Sequence, residues 1–389
     1  MRAPFLHPRL AGFGTTIFAE MSQRAIATGS INLGQGFPDT DGPDVVKQAA
    51  IDAIASGLGN QYPPGPGIPE LRRAVADHQR AYYGIDLDPD SQVLVTCGAT
   101  EAIAATLLSL LGPGDECILL EPFYDSYPAA VAMAGATVVP VSLNPPTFQP
   151  DVEAIRAAVT DRTKVLVINS PHNPSGTVFT GETLKAIAAI AIERDLLVLS
   201  DEAYEHLTFD AVAHTPISTL PGMAERTITV GSAGKSLSFT GWKVGWATGP
   251  AALVSAVRTS KQFLTYVSSG PFQYAVARGL NELGPEYFVG LSVGLASKRD
   301  RLVGGLRSLG LEVFVPSGTY FVCADIRSIT DEDGLDFCRA LPDRCGVVAI
   351  PTSVFYATPG AGSSIIRFAF CKRDEVIDEA VSRLSALRL

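Results

Sequence analysis

The 389-residue sequence predicts an α/β protein built on a mainly parallel sheet, and three observations carry that prediction. Short buried strands such as Glu116 to Leu120, Lys164 to Asn169 and Leu196 to Leu199 alternate with helix-period segments, the rhythm of strands joined by crossover helices. From Leu311 the style shifts to strands interleaved with two helices, an α+β pattern that implies a second, smaller domain. The length also exceeds what one ordinary core organises, so two domains are the default.

In chain order, residues 1 to about 40 read as irregular, rich in Gly and Pro, ending in INLGQGFPDTDGP. Helical spacing begins near Asp44, with Val45, Val46, Ala49, Ala50 and Ile54 as the apolar face. A Pro/Gly loop, NQYPPGPG, feeds a helix from about Pro69. Gln92 to Cys97 reads as a strand, and Gly98-Ala99-Thr100 as a turn into the helix Glu101 to Leu111. Strands follow at Glu116 to Leu120, Thr137 to Val141, Lys164 to Asn169, Leu196 to Leu199 and Arg226 to Val230. Helices separate them from Tyr127, at Asp151 to Val159 and at Glu182 to Arg194. Leu253 to about Arg307 reads as long helices broken near Ser268–Pro271 and Gly284-Pro285. Strands at Leu311 to Val315, Tyr320 to Cys323, Val347 to Ile350 and Ile365 to Phe370 complete the chain. The expected division is a large domain over 44–283 and a small domain made of 1–43 with 284–389.

Composition bounds the function. With 47% hydrophobic and 18% charged residues the chain buries a core, and its formal charge of -10 offers no basic stripe for nucleic acid. Six cysteines lie scattered without CxxC pairs, which fits reduced thiols better than a disulfide frame or a metal site, so no metal is expected. No apolar run is long enough to cross a bilayer, and the start MRAPFLHPRL lacks the apolar core of a signal peptide. A cytoplasmic protein with no membrane partner is the expectation.

Four loops at strand ends and one lysine segment concentrate the chemistry, because open α/β sheets bind ligands at the carboxyl ends of their strands. Gly98-Ala99-Thr100 offers free N–H groups to a phosphate, although most such turns bind nothing. Glu121-Pro122-Phe123-Tyr124 places an aromatic after a strand, as either core or stacking platform. Asn169 to Gly176, NSPHNPSG, fixes a tight path with room for a cis X–Pro bond. Asp201, after an apolar strand, is either a helix cap or a buried carboxylate that needs a cationic partner. Thr229 to Gly249, TVGSAGKSLSFTGWKVGWATG, presents Lys235 from a loop of small residues, with Lys243 behind it. A lysine in such a pocket can lose its proton and attack a carbonyl, where an ordinary surface lysine stays solvated.

Taken together and in this order, the phosphate turn, the aromatic, the Asn-Pro turn, Asp-x-x-Tyr and Ser-x-x-Lys resemble the class I aminotransferases, enzymes of pyridoxal phosphate with the type I fold. The resemblance runs from INLGQGFPD to IRFAF. Its nearest branch is that of kynurenine/glutamine and methionine transaminases, which share NLGQGFPD, NQY, EPFxDxY, NPxG, GSAGK and TGWKVGW. The wording NQYPPGPG and INSPHNP is similar to actinobacterial N-succinyldiaminopimelate aminotransferases.

The resemblance implies roles for single residues. Lys235 would hold pyridoxal 5'-phosphate as a Schiff base and then shuttle protons. Asp201 would pair with the pyridinium nitrogen, Asn173 and Tyr204 would bond the ring's phenolate oxygen, and Tyr124 would stack on the ring. Ala99, Thr100, Ser232 and Lys243 would take the phosphate, with Tyr62 reaching the phosphate of the neighbouring subunit in a homodimer with shared sites. Arg367 would clamp the substrate carboxylate, completed by backbone around Gly36, and small-domain closure would bring both onto the substrate.

Two positions depart from the kynurenine/glutamine branch: Phe18 stands where its members carry Trp, and Ser268-Ser269 where they carry Phe-His. A roomier, more polar pocket suits N-succinyl-L,L-2,6-diaminopimelate, an intermediate of lysine and diaminopimelate biosynthesis, with 2-oxoglutarate and glutamate as the shared pair. The alternative is a kynurenine, glutamine or methionine aminotransferase, with cysteine-conjugate β-elimination open to the same scaffold. A regulator using such a domain as a sensor would need an added DNA-binding segment, and a binding-only relative would not keep Lys235, Asp201 and Arg367.

Overall fold

The computed structural model describes residues 5–387. Seven strands form the main sheet: β2 (Val93–Thr96), β3 (Glu116–Glu121), β4 (Thr137–Ser142), β5 (Thr163–Asn169), β6 (Leu197–Asp201), β7 (Thr227–Ser232) and β8 (Gly245–Thr248). β1 (Ile31–Asn32) precedes them and belongs elsewhere. Their order is β2-β8-β7-β6-β5-β3-β4, parallel except for β8, which runs antiparallel to both neighbours. The sequence reading of a mainly parallel sheet therefore holds. β3 and β7 are buried along their whole length and β5 from Val165 onward, which is why they read as apolar runs. β4 is one edge of the sheet, half exposed, where a strand proline, Pro140, is tolerated.

Helices α1 (Ile17–Thr28), α2 (Asp44–Ser56) and α3 (Pro69–Tyr83) precede the sheet. α4 (Gly98–Leu110), α5 (Ser126–Ala134), α6 (Val152–Ala158), α7 (Gly181–Glu193), α8 (Ala233–Ser236), α9 (Ala251–Leu264) and α10 (Gly270–Glu282) accompany it. α11 (Pro285–Ser308) then leads to β9 (Glu312–Phe314) and β10 (Phe321–Asp325). The chain continues through α12 (Gly334–Cys345), β11 (Val347–Val348), β12 (Ile350–Pro351), β13 (Ile365–Ala369) and α13 (Asp374–Ser385). The last strands make an antiparallel sheet of order β12-β13-β10-β9. β1 pairs in parallel with β11, so the segment after α1 lies against the C-terminal part of the chain.

Three local readings are corrected. The first 40 residues are not irregular throughout, because α1 is a twelve-residue helix. Thr16 Oγ1 caps its start by accepting from the Ala19 N–H, and Gly29 ends it at φ 64°, a left-handed turn that glycine adopts freely. Ile54 does not belong to the buried face of α2; Ala53 takes that place, and Ile51 and Ile54 stand about half exposed. Lys235 sits in one turn of helix rather than a loop, since β7 runs on to Ser232 and the Leu237 N–H closes onto the Ala233 carbonyl. Among the described residues no helix is long and apolar enough to cross a membrane.

Candidate active site

Three parallel strands end side by side at the same rim, with Asn169, Asp201 and Ser232 as their last residues. Their side chains and the N-terminus of α4 enclose a cavity of about 240 Å³. Of the thirteen residues to which the resemblance gives cofactor, catalytic or substrate roles, twelve line it: Phe18, Gly36, Ala99, Thr100, Tyr124, Asn173, Asp201, Tyr204, Ser232, Lys235, Lys243 and Arg367. Tyr62 does not; it is 81% exposed and packs edge-on against Tyr266. Ser268 and Ser269 also lie outside this cavity, at the start of α10.

Asp201 is buried, and burial pushes its carboxyl above the usual carboxylate range. The Tyr127 hydroxyl, donating to Oδ2 at 2.5 Å, and the Ala203 N–H, donating to Oδ1 at 3.1 Å, oppose that shift. Asn169 braces the floor of the site: its amide donates to the Asp201 carbonyl at 2.8 Å while its oxygen accepts from the Asn173 N–H at 2.8 Å. Both the Ser170–Pro171 and Asn173–Pro174 bonds are cis, as the tight path of NSPHNPSG allows.

Lys235 lines the same cavity, and burial lowers its amine to about 8 from the ordinary lysine value. The amine donates to the Tyr320 hydroxyl at 2.9 Å. At the other end, Lys243 adopts a left-handed backbone, φ 54°, and places its side chain beside Gly98, the first residue of α4. The first N–H groups of a helix have no partners within it, so Ala99 and Thr100 with Ser232 and Lys243 form a donor set suited to an anion. Gly245 lets β8 approach this turn: a Cβ there would stand 2.7 Å from the Gly98 carbonyl carbon and 2.8 Å from the Ala99 nitrogen.

Arg367 is 1% exposed, on β13, which is an interior strand of its sheet rather than an edge. Its Nη1 donates to Asn173 Oδ1 at 2.9 Å and its Nη2 to the Gly34 carbonyl at 2.8 Å. The guanidinium lies 4.0 Å from the Phe321 ring centre and 5.2 Å from those of Phe18 and Phe355. Its Nε is buried without a partner, a donor still able to take an acceptor. Sequence reasoning missed Tyr127, Phe321 and Tyr320, and it named Asn169 only as the start of a tight turn, without its bracing bonds. Tyr127 lay within the quoted EPFxDxY pattern, but nothing local tied it to Asp201, 74 residues later.

Away from this site, His78, Glu205 and His206 form a cluster of potential ligands. The two imidazole Nε2 atoms stand 2.7 Å apart, a hydrogen-bond length and well under the roughly 3.3 Å that two nitrogens keep on a tetrahedral zinc. The pair reads as hydrogen-bonded imidazoles joining α3 to the loop after β6.

The comparisons with known proteins agree with this geometry. Residues 28–384 match the family of class I and II aminotransferases. A probable N-succinyldiaminopimelate aminotransferase of Mycobacterium tuberculosis is 52% identical, over 97% of this chain and 98% of its own. Its solved structure superposes with a TM-score of 0.96, covering 98% of this chain and all of that one. Methionine aminotransferase of Escherichia coli is 38% identical over 97% of both chains, and the E. coli structure of that function superposes with a TM-score of 0.94. Human kynurenine–oxoglutarate transaminase 3 is 37% identical over 97% of this chain and 89% of its own. The chain belongs to the class I and II aminotransferases. It is an aminotransferase of the type I fold, as the sequence reading expected.

Proposed function

We propose that this aminotransferase uses pyridoxal 5'-phosphate to move the amino group of N-succinyl-L,L-2,6-diaminopimelate to 2-oxoglutarate. One observation carries the placement of the cofactor: a buried carboxylate, a lysine of lowered basicity, a helix N-terminus with Lys243, and a buried arginine all open into one cavity. The residues fit the group on physical grounds. Gly245 leaves the backbone of the phosphate turn free of any Cβ, and the unpartnered Arg367 Nε supplies a donor for a substrate carboxylate.

Lys235 would carry the cofactor, and Asp201 would hold the charge of its ring nitrogen, since a buried carboxylate requires a cation beside it. Asn173 and Tyr204 would bond the ring oxygen, Tyr124 would cover the ring, and Ala99, Thr100, Ser232 and Lys243 would hold the phosphate. When bound, the cofactor supplies a carbonyl for condensation with amines and a ring that takes up the electrons left by the departing α-proton. Arg367 binds and orients the substrate carboxylate by a bidentate pair beside Gly36, fixing which bond at the α-carbon faces the lysine. Lys235, at about 8, is basic enough to take a proton near neutral pH and acidic enough to return it.

The same reading proposes two domains, 44–283 and 1–43 with 284–389, and a homodimer in the cytoplasm in which Tyr62 reaches the partner's phosphate site. Its exposure beside Tyr266 supports that placement. For the substrate, the 52% identity to the M. tuberculosis enzyme is the supporting observation. Phe18, packed 5.8 Å from Phe355 over Arg367, leaves less aromatic bulk than the tryptophan of the kynurenine branch. A donor series with 2-oxoglutarate tests it: kcat/KM highest for the succinylated diamino acid is expected, and a strong preference for kynurenine, glutamine or methionine overturns the substrate assignment.

A further inference from the structure

Tyr320 is buried to 2% exposure, follows a residue in an unusual backbone conformation, and touches two parts of the site at once. Its hydroxyl stands 2.9 Å from Lys235 Nζ and 2.6 Å from the Gly36 carbonyl. A carbonyl only accepts, so the single phenolic hydrogen goes to Gly36. Toward Lys235 the hydroxyl is therefore the acceptor, and the lysine donates. The ring is fixed edge-on against Tyr204 at 5.3 Å and Phe321 at 4.8 Å. Thr319, immediately before it, holds φ 63°, rare for a β-branched residue, with its N–H bonded to the Leu207 carbonyl and its hydroxyl accepting from the Phe321 N–H.

Lys235 lies between two cavities. The front one is the candidate active site. Behind it is a second, of about 190 Å³, walled by Leu207, Leu291, Leu295 and Cys371, and Tyr320 faces this rear space. The rear cavity gives a free lysine side chain, with its flexible four-carbon stem, somewhere to swing.

We propose that Tyr320 is a positioning residue for the reaction: its hydroxyl, fixed by the Gly36 carbonyl, receives the Lys235 amine whenever that amine is free, and keeps it at the wall between the two cavities. Because the lysine is the donor in this contact, the lone pair of its neutral amine stays available for the proton transfer. Gly36 also lines the front cavity, so one hydroxyl ties the lysine to the segment placed beside the substrate carboxylate. The proposal rests on Lys235 being the cofactor lysine.

Cofactor-free protein separates the two claims. Capture of added pyridoxal 5'-phosphate, followed by absorbance across pH, reports the ionisation of Lys235. Its rate rises with pH as the amine loses its proton, with an inflection near 8 in the native chain. A hydroxyl that accepts from the ammonium favours the charged form, so Tyr320→Phe is expected to move the inflection down by about one unit. In the loaded enzyme the same variant is expected to lower kcat roughly tenfold while KM for the amino acid changes less than about threefold. An inflection that does not move overturns the proposal, whatever happens to kcat. Should Tyr320→Phe fail to fold, 3-fluorotyrosine at that position keeps the shape and weakens the acceptor. A smaller shift in the same direction is then expected, and none overturns the proposal. Covalent capture that survives Lys235→Ala would sink the assignment of Lys235 itself and the proposal with it; capture lost in that variant with an unmoved inflection in Tyr320→Phe sinks the proposal alone.

Discussion

Asp201 and Arg367 are two buried charged groups lining one cavity, and burial works against each of them. Asp201 is eased by the Tyr127 hydroxyl and the Ala203 N–H. Arg367 spends two nitrogens on Asn173 and Gly34 and keeps its Nε free. A buried donor without a partner is costly unless a ligand supplies the acceptor, which supports the proposal that Arg367 takes the substrate carboxylate. Arg367→Ala is expected to cost about 3 kcal/mol, roughly a hundredfold in kcat/KM for every amino acid donor alike, because it removes a contact all donors share. Steady-state kinetics with two donors of different side chain check this; a loss confined to one donor would place Arg367 in side-chain recognition instead.

At the scale of elements, the site depends on how closely β8 passes the first turn of α4. Gly245→Ala would push a methyl against the Gly98 and Ala99 backbone, which cannot yield without moving the N–H groups proposed to hold the phosphate. The expected result is a folded protein with cofactor affinity weakened roughly tenfold or more in an absorbance titration; unchanged affinity would mean that this turn does not hold the phosphate. The same scale shows what the sequence could reveal. Asn169 and Asp201 were legible because each follows an apolar run, where a strand must give way to a ligand-facing loop, whereas Ser232, beyond the strand end read at Val230, was named only through the family resemblance. Helix α1 was hidden by Gly12, Gly14 and Gly29 on its flanks, although Thr16 and Gly29 mark its two ends. The turn of helix under Lys235 has four residues, too few for a 3.6-residue period to show. Tyr320 was out of reach altogether, since its meaning comes from Gly36, 284 positions away.

Across the whole molecule, the order of the main sheet brings three strand ends to one rim, and the second sheet delivers Arg367 to the same place from the C-terminal part of the chain. The N-terminal segment adds Phe18, Gly34 and Gly36, held by the β1–β11 pairing and by ion pairs from Glu20 and Arg24 to Arg339 and Asp343 on α12. What this chain leaves open is the side near Tyr62, where Phe263 is 81% exposed and Tyr266 53%. Exposed aromatic side chains of this kind support the proposed homodimer contact. Light scattering is expected to give twice the mass of one chain, and Phe263→Asp to shift it toward the single chain with loss of activity; a native protein active as a single chain would contradict the shared site.

The central claim is that Lys235, and not Lys243 or another amine, carries the cofactor. Reduction of the loaded protein with borohydride, followed by peptide mass spectrometry, tests it most directly. The account predicts the cofactor's mass on the peptide containing Lys235, with Lys243 unmodified and no label in Lys235→Ala. Label on a different lysine, or none, would contradict it.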